Sequence, residues 1–171
     1  MKISGRNLRH RLHMLGNKLA RAKYYHGYGV HSPFVYDIVR QVFMCRELKY
    51  SDNTLFEALS ALDIPRKRCI QLQNLFHHCR YTRYGIDCKA EAFEGLDMVI
   101  ITTDIEAEEL ALLAEVARLN AVTLCIIAPA LDKARRKACE AIVSAHRCTS
   151  IDNRGYLLLL NNHLPKQAFR L

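Results

Sequence analysis

The apolar positions change their period about halfway along the chain. Leu8, Leu12, Leu15, Leu19 and Ala22 recur every three or four residues, which predicts a helix with one apolar stripe. Arg9, Arg11, Lys18 and Arg21 lie off that stripe. A loop over residues 24–31 follows. Ser32-Pro33 then reads as a helix start, because Ser caps orphan amides and Pro suits the first helical position. Phe34, Val35, Ile38, Val39, Val42 and Phe43 supply its buried face. Thr54 to Leu62 predicts a short helix capped by Asp52 or Asn53, and Cys69 to Cys79 predicts another. Up to about residue 80 the pattern is helical throughout.

The second half alternates. Tyr84 to Asp87 predicts a short strand, and Asp97 to Thr103 a longer one. Glu106 to Leu119 has helical spacing, Val122 to Ala128 is a strand, and Asp132 to His146 is a helix. Cys148 to Asp152, Tyr156 to Leu160 and Ala168 to Leu171 predict closing strands, with Asn153-Arg154-Gly155 as a hairpin turn. The two central strands are apolar throughout, as strands covered on both faces are. Strand, helix, strand, helix from Asp97 to His146 predicts a right-handed parallel unit. We expect one domain over 1–171, helical over 1–80 and α/β over 81–171, with an incomplete Rossmann-like sheet and a C-terminal antiparallel hairpin.

Charge adds polarity to this picture. The chain of 171 residues carries a net charge of +8. Lys2, Arg6, Arg9, Arg11, Lys18, Arg21 and Lys23 all precede the first acid, Asp37. Arg66, Lys67, Arg68, Arg80 and Arg83 form a second block with His77 and His78, whereas Asp87 to Glu115 is acidic. Such a chain attracts an anionic partner to one side or pairs with itself. The basic patch Arg6, Arg9, Arg11, Lys18, Arg21 and Lys23 suits phosphates or an anionic surface. Tyr24, Tyr25 and Tyr28 beside Lys23 add rings that stack on bases.

Candidate chemistry is sparse. The seven cysteines show no C-x-x-C spacing, so neither a zinc ribbon nor a redox dithiol is expected. His26 and His31 bracket a glycine-containing loop. They suit a metal or proton-transfer pair, or hydrogen bonds that fix the loop. Without Cys or acid at ligand spacing the second role is expected. The His77-His78 doublet points its rings to different faces of a helix, which argues against a joint metal site. No nucleophile elbow, phosphate loop or H-E-x-x-H run is present. No apolar run approaches the roughly 18 residues of a membrane span, and no apolar signal core follows the basic start. A cytoplasmic protein without a transmembrane segment is expected.

The segment from Lys23 to Asp37, above all Val30-His31-Ser32-Pro33-Phe34-Val35-Tyr36, resembles an N-terminal signature of bacterial class I S-adenosylmethionine methyltransferase-like proteins. His26, His31, Ser32, Pro33 and Phe34 are its signature residues here; Tyr28-Gly29 is an insertion. Ser150-Ile151-Asp152, Gly155, Tyr156 to Leu160 and Lys166 to Leu171 are similar to the family's terminal hairpin and tail. The resemblance implies a class I methyltransferase-type fold.

Departures from the family pattern decide the expected function. The glycine-rich cofactor loop is missing, since Gly85 stands alone until Gly95. Asp97 follows Asp87 by only ten positions, too few for the rest of a cofactor half-site. Thr102 stands where the family keeps an Asp, Ile105 where it keeps a His, and Pro129-Ala130-Leu131 where it keeps an Asp-Asp-Ile run. Asp104 and Asp132 read as helix N-terminal charges. We therefore expect no cofactor and no catalysis, but an interaction or regulatory role with a homo-oligomer or protein partner. If the chain were a methyltransferase for a small hydroxyl acceptor, S-adenosylmethionine would lie near Gly85, Asp87, Thr102 and Thr103. A third reading is a basic nucleic-acid-associated module using residues 2–28 and 66–83.

Overall fold

The computed structural model describes residues 32–62, 64–161 and 165–171. The predicted basic helix over Leu8 to Ala22, the basic patch from Arg6 to Lys23, and His26 and His31 lie outside the described residues.

Between Ser32 and His78 the described elements are helical. Helix α1 spans Pro33–Ile38, and the chain continues as a π-helical turn over Val39–Phe43. Ser32 caps α1 as predicted: its Oγ accepts from the Val35 amide at 3.4 Å. Helix α2 spans Thr54–Ser60 and α3 spans Arg66–His78. Asn53 occupies the cap position of α2 without a side-chain bond, while the Asp52 carboxylate accepts from the Thr54 amide at 3.1 Å. Helix α3 starts three residues before the predicted Cys69, because Pro65 cannot continue a preceding helix but suits the entrance to a new one.

The second half builds a six-stranded sheet. Its strands are β1 Tyr84–Ile86, β2 Met98–Ile101, β3 Thr123–Ile127, β4 Thr149–Asp152, β5 Tyr156–Leu160 and β6 Ala168–Arg170. The order is β1-β2-β3-β5-β4-β6. Strands β1, β2 and β3 pair in parallel, β5 pairs antiparallel with both β3 and β4, and β6 pairs in parallel with β4. The predicted parallel unit and antiparallel hairpin are both present, with β5 inserted between β3 and β4. Helices α4, Leu110–Leu119, and α5, Lys133–Ala145, follow β2 and β3. Helix α4 begins four residues later than predicted. Residues 106–109 close a single turn instead, the Glu109 amide reaching the Glu106 carbonyl. Asp104 is therefore not a helix N-terminal charge, whereas Asp132 is: it caps α5 by accepting from the Arg135 amide at 2.8 Å.

The strands are buried on both faces, and alternate residues feed two separate cores. Met98, Ile100, Cys125, Ile127, Leu158 and Leu160 pack against α1 to α3. Val99, Ile101, Leu124, Ile126, Leu157 and Leu159 pack against α4 and α5. A fully buried leucine contributes about 1.5–3 kcal/mol, so β5 alone, with four such residues, anchors both layers. Among the described residues no helix is long and apolar enough to cross a membrane.

Candidate functional site

In an open α/β sheet a ligand meets the carboxyl ends of the strands, and the structure places two polar regions there. The first joins the ends of β1, β2 and β3. Asp87 follows β1 with φ 47°, a left-handed conformation that Asp tolerates better than most residues. Its Oδ1 accepts from the Thr102 amide at 2.7 Å, and its Oδ2 from the Thr102 hydroxyl at 2.6 Å. The same hydroxyl accepts from the Asp104 amide at 3.2 Å. Both carboxylate oxygens are thus engaged by one residue of the neighbouring strand end.

Arg135 completes this region from α5. It is 2% exposed. Nη2 donates to the Thr102 carbonyl at 2.6 Å, Nη1 to the Ile105 carbonyl at 2.7 Å, and Nε to the Ile127 carbonyl at 3.3 Å. One guanidinium therefore ties the ends of β2 and β3 together through carbonyls that the sheet ladder leaves over. A buried arginine is tolerated when its fork of donors is filled.

The remaining sequence candidates follow from this arrangement. A Cβ at Gly85 would stand 2.7 Å from Cys88 Sγ and 2.9 Å from Leu96 Cδ1. The space that glycine frees is filled by the chain's own side chains, not kept open for a ligand backbone approach. Thr103 is exposed. The structure brings Asp87 and Thr102 together and leaves Gly85 and Thr103 out of their cluster. Ser32, Pro33 and Phe34 sit at the start of α1, where Ser32 is the cap and Phe34 packs against the core. In this cluster Gly85 is packed from within by Cys88 and Leu96, and the Asp87 carboxylate is already engaged by Thr102. Among the described residues no group of three or more His, Cys, Asp or Glu could hold a metal.

The second region lies at the end of β4 and the start of β5, and sequence reasoning missed it. A cleft of 390 Å³ opens between the π-helical turn, the start of α3 and the β4–β5 hairpin. Arg46, Lys67, Arg68 and Arg154 line it, together with Val39, Phe43, Met44 and Leu171. Its floor is a buried polar network. Gln71 Oε1 accepts from Arg68 Nη1 at 2.8 Å and from the Tyr156 hydroxyl at 3.3 Å, and Asn153 Nδ2 donates to that hydroxyl at 2.8 Å. Gln71 Nε2 donates to the Phe43 carbonyl at 2.7 Å, which holds the π-helical turn against α3. The Arg68 guanidinium lies 5.5 Å from the centre of the Tyr156 ring. Burial lowers the Arg68 pKa, and nearby Arg154 lowers it further, against the opposing pull of Tyr156 and Asp152.

The rest of the basic block behaves differently. His77 Nε2 lies 3.4 Å from the Asp52 carboxylate, and His78 Nε2 lies 3.1 Å from that of Asp37. The two rings turn to separate acids, as the doublet spacing predicts. No family model, curated protein or solved structure matches the chain.

Proposed function

We propose that this chain is a methyltransferase-like protein that has lost cofactor binding and catalysis and acts as an interaction or regulatory protein. The observation that carries the reading is the closed state of the β1–β3 strand ends. Asp87 is satisfied by Thr102, Gly85 makes room for Cys88 and Leu96, and Arg135 seals the carbonyls behind them. Groups that would greet a nucleoside or act as a base are engaged in holding adjacent strands. The parallel run ended by an antiparallel hairpin supports the relationship implied by the sequence resemblance. So does the position of β1 at the sheet edge, where a fuller sheet would continue.

Isothermal titration with S-adenosylmethionine tests the reading. The expected result is no binding tighter than about 100 μM, which corresponds to about −5.5 kcal/mol. Saturable binding below that limit, weakened by substitution of Asp87 or Thr102, overturns it.

A further inference from the structure

We propose that the cleft between the π-helical turn, α3 and the β4–β5 hairpin binds a small phosphorylated molecule of about mononucleotide size. Among the described residues four cationic side chains line it and no acidic side chain does. Arg154 is partly engaged: its Nε donates to the Leu171 main-chain oxygen at 3.2 Å, and its amide to Asp152 Oδ1 at 2.9 Å. Even with Arg154 assigned to those partners, Arg46, Lys67 and Arg68 remain. Among the described residues Arg46 and Lys67 enter no ion pair, and Arg68 spends one nitrogen on Gln71. Three or four cations around one small space match a dianion better than a single carboxylate, and a guanidinium fork fits phosphate oxygens in pairs.

Three further features point the same way. Lys67 and Arg68 belong to the first turn of α3, whose cap residue, Pro65, makes no side-chain bond to the orphan amides. The helix dipole therefore adds partial positive charge at the same mouth. Arg68 is held in place by the Gln71–Asn153–Tyr156 network and by the Tyr156 ring, so its donors are oriented before a ligand arrives. Val39, Phe43 and Met44 also line the cleft and give apolar surface for the body of the ligand. The volume of 390 Å³ falls within the range of small-molecule sites. This inference is independent of the proposed loss of cofactor binding, since it uses different strand ends and different residues.

Calorimetric titration of the full chain with AMP, adenosine and inorganic phosphate tests it. AMP is expected to saturate one site, adenosine to give no saturable heat, and phosphate to compete with AMP. Exposed Lys67 and Arg46 are the safe positions to change: Lys67→Glu with Arg46→Glu should weaken AMP by about tenfold or more. Lys133→Glu with Arg136→Glu, on the far helix α5, should leave AMP binding unchanged. Matching far-ultraviolet dichroism and melting curves for both double variants guard against unfolding. The assignment is overturned by no AMP binding up to about 10 mM, or by equal binding of AMP and adenosine. Equal weakening by the two double variants, or binding of an oligonucleotide without AMP, overturns it as well.

Discussion

The two polar regions at the carboxyl edge of the sheet use similar residues to opposite effect. At the ends of β1 to β3, an acid, a hydroxyl and an arginine turn toward one another and toward spare carbonyls. Between the end of β4 and the start of β5, Arg46, Lys67, Arg68 and Arg154 line one cleft with no acidic side chain among the lining residues. Residue type does not separate structural chemistry from ligand chemistry; what separates them is whether the fold completes each group's partners. A closed set raises stability and is silent toward solutes. An open set costs stability and is available.

The largest expected effect breaks the closed side. Arg135→Met keeps the apolar stem and leaves the Thr102, Ile105 and Ile127 carbonyls without their donor, so we expect a loss of about 3 kcal/mol in urea unfolding. Asp87→Ala comes next, at about 2 kcal/mol. It removes the acceptor for both Thr102 donors and places a less tolerant residue at a positive φ. Asp87→Asn should retain more than half of that stability, because Asn accepts from the amide and adopts the same backbone. If either region were interchangeable, these variants would alter AMP binding; they are expected to leave it unchanged.

Gly155→Ala sharpens the comparison from the open side. A Cβ there would run into Arg68 Nε. The arginine is flexible enough to move, so the stability cost should stay below about 1 kcal/mol. Yet the guanidinium would leave its seat on Tyr156, and AMP affinity should fall several-fold. The smallest effect concerns His146, buried at 6% exposure with Nε2 lacking a partner among the described residues. Burial lowers its pKa below the ordinary 6.5, and the charges of Lys166 and Arg118 lower it further. The unfolded chain therefore takes up the proton first as pH falls. The stability contributed by neutral His146 is complete above about pH 6.5 and is lost progressively below it, down to the folded-state pKa. Melting temperatures across that window should fall more steeply for the parent chain than for His146→Gln.

Much of the fold was legible because continuous apolar runs leave few choices. Asp97 to Thr103 and Val122 to Ala128 read as strands covered on both faces, and β2 and β3 within them are buried throughout. The π-helical turn was not legible, since Ile38, Val39, Val42 and Phe43 suit an ordinary helix equally well. Arg135 was hidden among the basic residues Lys133, Arg136 and Lys137 of its helix. Its spacing to Cys139 and Ile142, four and then three residues, places it on the inward stripe and was the available signal. The cleft draws on positions 46, 67, 68 and 154, which no local pattern links. Only the acid-free run from Arg66 to Arg68 hinted at unpaired charge.

The insertion of β5 has a consequence for how the molecule is made. Both strands that flank β4 are encoded after it, and the second neighbour of β3 comes later than β4 itself. During synthesis β4 therefore leaves the ribosome with nothing to pair with, and β3 waits with one side bare. A pause after residue 152 would present exposed strand edges to chaperones or to other nascent chains.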